Sequence, residues 1–323
     1  MKNLCILGLI LISLISCNNK NEIILQSSIG KYNSLLVIID DTKWEGIVGD
    51  SIRAVVARDL IGFTQPEATF SISQIAPENF ANLLKPSRNI LQITKGSKNE
   101  MTSSKNKFAA PQQIVSLKMK DNEGLFQLLN KHADEIVSTF RNSDFKIFKN
   151  KMGTKTWDVK NLETFKNIKA NITIPYAYRK VYDTLNYVWF KRDVTQGRSL
   201  NLQMYTLPIT NEADLNGENI ITQRNIKGKQ YVVGSKSDMY MITEEAFSPS
   251  QVVTEIANRK TYETRGTWEM KNDFMAGPFL NYTVVDKKNN RLIVIEGFAF
   301  APNVKKRDFM FELEAILKTL VVE

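Results

Sequence analysis

An alternating pattern near the C-terminus constrains the fold most strongly. Apolar side chains at Leu280, Tyr282 and Val284 alternate along the chain up to Asp286. After the turn-forming stretch 288–290, a second run with the same period of two contains Leu292, Val294, Glu296 and Phe298. A period of two is that of a β-strand, and asparagine tolerates the left-handed backbone that tight turns need. The pattern therefore predicts an antiparallel β-hairpin.

The rest of the C-terminal half is expected to surround this hairpin with strands and helices. Residues 187–192 and 199–207 are predicted to be strands, and residues 250–258 a helix. Residues 210–229 contain two glycines at turn-like positions and are predicted to be a long loop. Apolar residues recur at helical spacing over 309–320, which predicts a terminal helix. This half should be an antiparallel sheet with flanking helices.

The N-terminal half has a different order of elements. Thr42-Lys43-Trp44-Glu45 matches a capping box before an apolar stripe, which predicts a helix over about 43–59. Asp121 is positioned to cap a second, longer helix that extends to about Lys151. The polar residues 96–106 are expected to form a loop. The strands are predicted at 34–39, 66–73, 89–94 and 114–119.

These patterns predict an α+β protein. We expect an N-terminal α/β layer with a mixed sheet and two main helices, followed by the antiparallel sheet. Composition shifts near Gly153, so the predicted domains are residues 29–153 and 154–323.

The first residues predict a location. Lys2 is followed by an almost wholly apolar run over Leu4–Ile15, as in a secretory signal. About a dozen apolar residues form about 18 Å of helix, too short for a bilayer core of about 30 Å. Leu14-Ile15-Ser16-Cys17 looks like the lipobox of bacterial lipoproteins, in which the cysteine sulfur receives diacylglycerol. We therefore expect a signal peptide over 1–16 and a tether over 17–28, lipidated at Cys17, although an ordinary signal with a chance cysteine is the alternative.

This anchor implies a lipid-anchored protein of the cell envelope. Two or more acyl chains hold a protein on a membrane stably. No acidic run follows Cys17, which favours the periplasmic face of the outer membrane over exposure at the cell surface.

The scarcity of cysteine and histidine excludes several chemistries. His132 is the single histidine, and Cys17 would be the single cysteine after cleavage. Catalysis by Ser-His-Asp or Cys-His groups, zinc sites with Cys and His ligands, and structural disulfides are therefore not expected. We expect no cofactor and no metal centre.

The net charge of +9 is dispersed over the chain, with local clusters at 146–151 and 305–307. Nucleic acid is not expected as a partner of an exported protein. Solvated surface lysines explain the charge most simply, and contact with anionic lipid phosphates is the alternative.

Several short motifs in both halves occur together. They are Gly30–Ile38, Trp44-Glu45-Gly46, Gly49-Asp50, Arg265–Glu269, Asp273-Phe274-Met275, Gly277-Pro278-Phe279, Asn289-Asn290-Arg291 and Glu296–Pro302. With these motifs the chain resembles an uncharacterised family of Bacteroidota lipoproteins, domain of unknown function 4837, over about 28–322. The resemblance implies a lipoprotein architecture and an envelope location, and it implies no activity.

The stretch from Trp268 to Pro278 is the main candidate binding site. Its glycine and proline indicate a loop, and it combines Trp268 and Phe274 with charged residues such as Asp273. Exposed aromatic residues on a loop suit the binding of a partner. The alternative is a loop folded over the core beside the hairpin.

Two other positions have simpler interpretations. Asp40 and Asp41 follow a buried strand, where ligands of α/β sheets gather and paired carboxylates can hold Mg²⁺ or Ca²⁺. Helix capping by Asp41 and solvation of Asp40 are the favoured explanation. His132 is expected at the boundary between core and solvent.

These features predict a non-enzymatic envelope lipoprotein that binds a protein, glycan or lipid through its C-terminal half. The alternative is a hydrolase of envelope glycan that uses two carboxylates facing each other across a cleft. Its candidate carboxylates are Asp40, Glu269, Asp273 and Glu296.

Overall fold

The computed structural model describes residues 24–153 and 155–323. The predicted signal peptide, Cys17 and the tether up to residue 23 lie outside these described residues. Among the described residues, no helix combines the length and the apolar character that crossing a bilayer requires.

The N-terminal half is built on a mixed sheet of five strands. The strands are β1 (Ser34–Ile38), β2 (Ser71–Ile75), β3 (Asn89–Lys95), β4 (Glu100–Lys105) and β5 (Gln113–Met119). Their order is β2-β1-β3-β5-β4, and all pairs are parallel except β4 with β5. The loop predicted over 96–106 was therefore wrong. β4 is polar and mostly exposed at the edge of the sheet, so no buried face marks it in the sequence.

One face of this sheet is covered by helices. They are α1 (Asp41–Trp44), α2 (Ile47–Val56) and α3 (Asn122–Met152). Leu35, Val37 and Ile39 pack against the apolar sides of α2 and α3 in one core. The side chain of Asp121 accepts a hydrogen bond from Gly124 N at 2.8 Å, which confirms the predicted cap of the long helix.

The helix predicted over 43–59 is two helices that meet at a sharp corner. α1 ends at Trp44, and α2 begins after Gly46, whose backbone is extended. The corner brings α2 against α1 so closely that a Cβ on Gly49 would lie 1.8 Å from the Trp44 carbonyl oxygen. The N-cap residue of α1 is Asp40, and its side chain makes no capping hydrogen bond. Thr42 lies inside α1, so it does not form the expected capping box.

The C-terminal half is built on an antiparallel sheet. Its strands are β7 (Arg179–Asp183), β8 (Tyr187–Thr195), β9 (Arg198–Pro208), β10 (Met241–Thr243), β11 (Ser250–Ile256), β12 (Arg259–Met270), β13 (Ala276–Asp286) and β14 (Arg291–Phe300). Their order is β10-β12-β13-β14-β9-β8-β7, with β11 also paired to β12. Two short strands, β6 (Ala170–Asn171) and β15 (Val321–Val322), pair separately.

Helices flank both faces of this sheet. They are α4 (Glu163–Ile168), α5 (Glu212–Asn216), α6 (Ile220–Tyr231) and α7 (Arg307–Leu317). α7 and α4 share a core with one face, whereas α6 packs on the other. The prediction of a loop over 210–229 was therefore wrong, as was the helix over 250–258, which is β11. The α+β class is confirmed.

The predicted hairpin is present as β13 and β14. Tyr282 lies opposite Ile295, and Val284 lies opposite Ile293. The two alternating runs of the sequence therefore face opposite sides: Tyr282 packs toward α7, whereas Glu296 points toward α6. Both faces of the hairpin are buried because both carry a helix.

The two halves are joined by polar contacts. Glu314 on α7 accepts hydrogen bonds from Arg141 of α3 and Arg265 of β12, each at 2.9 Å. The carboxylate of Glu67 accepts from the backbone N–H groups of Lys306 and Arg307, at the start of α7, at 2.7 and 2.8 Å. The domain boundary near residue 153 stays a prediction.

Candidate functional site

The main sequence-predicted site is the end of the β12–β13 hairpin. β12 ends at Met270, β13 begins at Ala276, and Lys271 to Met275 form the turn between them. Met270 N donates to Met275 O at 2.7 Å, and Lys271 N donates to Tyr240 O at 2.9 Å. The turn is therefore tied both across its base and to the neighbouring strand region.

The structure separates the four predicted binding residues into two pairs. Trp268 is only 1% exposed, and its Nε1 donates to Ala299 O at 3.1 Å. Pro278 is also buried, within β13. Asp273 and Phe274 are exposed on the turn, and Phe274 is fully exposed.

Trp268 is therefore a core residue and not an exposed binding residue, as in the alternative in which this stretch folds over the core. The residue lies in a strand and not in a loop, and its indole packs edge-on against Phe298 and Phe300. Residue 277 must be small here, because a Cβ on Gly277 would lie 2.0 Å from Ala299 O, the acceptor of the indole N–H, and 3.2 Å from the indole nitrogen. Pro278 lies opposite Thr267 in the same pair of strands.

Phe274 borders a shallow concavity of about 780 Å³, which we call the tip surface. Its apolar part includes Ile242 and Met270, and Tyr240 lies beside them. Its charged part includes Glu245, Glu269, Lys271 and Asp273. Partial burial raises the pKa of Glu269, and the nearby carboxylates of Glu244 and Glu245 raise that pKa further. The tip surface therefore combines an exposed aromatic ring with an excess of negative charge.

Glu296 cannot serve as the catalytic carboxylate of a glycan hydrolase. It is fully buried and forms an ion pair with Arg224, which is also fully buried, at 2.9 Å. Asn281 and Gln203 donate further hydrogen bonds to its carboxylate at 2.9 and 3.0 Å. Its charge is compensated, and no solvent reaches it.

Asp40 and Asp41 have local structural roles. The Asp40 carbonyl accepts from Trp44 N at 3.0 Å, and its carboxylate lies 3.9 Å from the Lys43 ammonium group. Asp41 Oδ1 accepts from Gln74 Nε2 at 2.8 Å. Among residues 24–153 and 155–323, no cluster of three or more His, Cys, Asp or Glu side chains could hold a metal ion.

His132 also has a local contact. Its Nδ1 lies 2.7 Å from Glu135 Oε2, and its backbone departs from helical geometry within α3. This position is partly exposed, as expected for a boundary residue.

A second concave region was missed by the sequence analysis. A groove of about 900 Å³ lies between residues 103–113 and residues 139–151 of α3, and we call it the α3 groove. Among its described lining residues are Lys105, Lys146 and Lys151, and no carboxylate. The charge cluster at 146–151 was visible in the sequence. The polar edge strand that completes the groove resembled a loop.

Two family models match the chain. The model described as Domain of unknown function (DUF4837) matches residues 157–319, and that described as Domain of unknown function (DUF8532) matches residues 28–153. The resemblance expected over the whole mature chain is therefore divided between two families. No curated protein matches the chain.

Three solved structures resemble parts of the chain at low identity. A protein from Bacteroides thetaiotaomicron has 9% identity and a TM-score of 0.27, with 48% of this chain and 45% of that one covered. The Ran-binding protein Mog1p of Saccharomyces cerevisiae has 6% identity and a TM-score of 0.32, with 47% and 89% covered. LpqN of Mycobacterium tuberculosis, described as involved in cell envelope biogenesis, has 12% identity and a TM-score of 0.29, with 47% and 82% covered.

These structural similarities are too weak to support a functional argument. The chain spans less than half of the Bacteroides thetaiotaomicron structure. The family match is stronger because it covers half of the chain, including the α7 helix and every strand of the antiparallel sheet. The chain therefore belongs to the family described as Domain of unknown function (DUF4837).

Proposed function

We propose that this protein is a non-enzymatic lipoprotein of the cell envelope that binds a partner protein through the tip surface. The N-terminal sequence supports the anchor, since Cys17 follows a short apolar run that ends in Ser16. The expected location is the periplasmic face of the outer membrane. The partner is expected to be a protein of the same compartment.

The full exposure of Phe274 is the observation that supports binding at this position. A large aromatic side chain on the surface leaves apolar area in contact with water, and its burial in a partner's pocket favours association. The backbone hydrogen bonds of the turn fix the backbone that carries Phe274, so binding would cost little additional ordering of the main chain.

The charges around Phe274 indicate the chemistry of the partner. Glu245, Glu269 and Asp273 outnumber Lys271 on the tip surface. A complementary partner would present an apolar pocket bordered by lysine or arginine, because charge complementarity speeds association and selects partners. This chemistry favours a protein over an anionic glycan or lipid at the tip surface.

The alternative as a glycan hydrolase has weaker support. Glu296 is neutralised by Arg224, and Asp40 lies in the other half of the chain. Glu269 and Asp273 remain, but they border an open, shallow surface and not a cleft that would enclose a sugar ring.

Photo-crosslinking tests this proposal. A photo-reactive phenylalanine analogue is placed at position 274, or at exposed Leu83 as the matched control, in the full chain with Cys17 intact. We expect one envelope protein to crosslink at position 274 and not at position 83. Phe274→Ala should weaken recovery of that protein, and Leu83→Ala should not.

The charge component is tested on the same protein. Glu245→Gln with Glu269→Gln should weaken recovery of the crosslinked partner, and salt should weaken recovery with the wild type. Equal crosslinking at both positions, or unchanged recovery with Phe274→Ala, would contradict binding at the tip surface.

A further inference from the structure

The α3 groove is distinct from the tip surface and lies entirely in the N-terminal half. One wall is the edge strand β4 with the segment that leads to β5, and the other wall is the C-terminal part of α3. Its apolar lining includes the buried side chain of Ile147, together with Ala110 and Pro111. Its rim is polar, with Asn142 and Asn150 on the helix.

The charge of this groove has one sign. Lys105 from the strand wall and Lys146 and Lys151 from the helix wall are all exposed. No described lining residue is an aspartate or glutamate. The described ion pair of the β4–β5 hairpin, Lys118 with Glu100 at 3.7 Å, lies at the opposite end of these strands. The groove therefore has an uncompensated positive potential that suits an anionic ligand.

The N-terminal segment of the chain runs beside this groove. Ala110 N donates to Gln26 O at 2.9 Å, and Ser28 N donates to Ala110 O at 3.3 Å. Since Ala110 lines the groove, the segment that leads back to Cys17 begins at its edge. Gln26 lies nine positions after Cys17, and nine residue steps span at most about 32 Å when fully extended.

We propose that the α3 groove binds the phosphate groups of anionic lipids in the membrane to which Cys17 anchors the protein. The proposal rests on the lipid anchor of the proposed function, because the short connection to Cys17 keeps the groove near the lipid headgroups. Lysine ammonium groups attract phosphate as mobile point charges. Three lysines spread over two walls suit several headgroups of a surface better than one enclosed phosphate ion.

Vesicle binding tests the groove without the anchor. The protein is the processed chain with Cys17→Ser, which starts at position 17 and keeps every described residue. Its fold is checked by comparing its unfolding midpoint with that of the lipidated protein. Binding is measured by co-sedimentation with vesicles of phosphatidylcholine, with or without phosphatidylglycerol.

The expected result is binding to the phosphatidylglycerol vesicles only. Lys105→Gln, Lys146→Gln and Lys151→Gln should each weaken partitioning about fivefold, and added salt should weaken it further. The triple groove variant combines these three substitutions. The matched control combines Lys236→Gln, Lys287→Gln and Lys288→Gln, which removes the same charge from exposed lysines outside the groove. This control should bind more tightly than the triple groove variant.

Three outcomes would overturn the proposal. They are equal binding to neutral vesicles, equal losses in the two triple variants, and lysine-dependent binding of inorganic phosphate without binding to vesicles. The last outcome would assign the groove to a soluble phosphate ligand. The Cys17→Ser protein cannot be lipidated, so a negative result with vesicles says nothing against the anchor. Fractionation of the lipidated chain tests the anchor separately.

Discussion

Trp268 and Phe274 lie close together in the sequence and have opposite surroundings. Trp268 lies near the end of β12, just before the turn, and packs in a core with Phe279 and Phe298. Phe274 is on the turn, and its side chain is fully exposed to solvent. The composition of a segment alone cannot distinguish these positions, because both residues are large and aromatic. Only the strand boundary at Met270 separates them.

We expect the two residues to respond oppositely to truncation. Trp268→Ala should lower the free energy of unfolding by about 3–5 kcal/mol, because it leaves a cavity and an unpaired Ala299 carbonyl. Phe274→Ala should change it by less than about 0.5 kcal/mol, as for a surface position. Urea unfolding of both variants checks this. A stable Trp268→Ala protein would mean that the indole is not part of the core.

At the scale of secondary structure, the capping residue of α3 has a measurable effect. Asp121→Ala removes the acceptor for Gly124 N and should cost about 1 kcal/mol, whereas Asp121→Asn should retain most of the stability. Thermal or urea unfolding distinguishes the two variants. Equal losses of stability in the two variants would indicate that the charge of the Asp121 carboxylate, and not its capping hydrogen bond, stabilises α3.

The elements that could be predicted from the sequence are those with a clear apolar period. β13, β14, α3 and α7 each have one, and all four were predicted. α6 was missed because it meets the sheet partly through the buried pair of Arg224 and Glu296, so a charged residue occupies a core position.

β11 was missed because its turn was not recognised. Ala257 and Asn258 both have positive φ, at 52° and 56°, which is the backbone of a two-residue hairpin turn. Alanine rarely adopts this conformation, so the sequence gives little indication of a turn. β11 is also mostly exposed and therefore lacks a buried stripe.

The candidate sites were less predictable than the fold. Gly277 and Pro278 suggested a loop over 268–278, but both lie in β13 and only 271–275 form a turn, which contains Phe274 and not Trp268. The α3 groove forms from residues 103–113 and 139–151, which only the folded sheet brings together. Such long-range proximity has no local pattern in a single sequence.

At the scale of the whole molecule, Glu314 connects the two halves. Burial alone would raise its pKa, but the charges of Arg265, Arg141 and Lys318, with the hydrogen bond from Arg265, hold the pKa well below its usual range. Arg141 belongs to the N-terminal helix α3, and Arg265 belongs to the C-terminal sheet. The carboxylate therefore stabilises the contact between the halves only when it is ionised.

Glu314→Gln should destabilise the protein at neutral pH by about 3–5 kcal/mol, since Arg141 loses the carboxylate it pairs with and Arg265 keeps only Glu263. Because the folded pKa of Glu314 is lowered, its contribution is fully present above the ordinary value of 4.5 and is lost as the pH falls below it. The difference in free energy of unfolding between wild type and variant should shrink over that range. Exposed Glu218→Gln is the control and should show no such pH dependence; a constant difference for Glu314→Gln would contradict the assignment.

The proposed location of the partner and the proposed role of the α3 groove both depend on the lipid anchor at Cys17. The most direct measurement is the intact mass and the membrane fractionation of the protein produced in a bacterium that processes lipoproteins. We expect the wild type to start at Cys17, to carry acyl chains and to stay in the membrane fraction after a high-salt wash, whereas Cys17→Ser is released. A wild-type protein without acyl chains, or a Cys17→Ser protein that stays in the washed membranes, would contradict the lipid anchor.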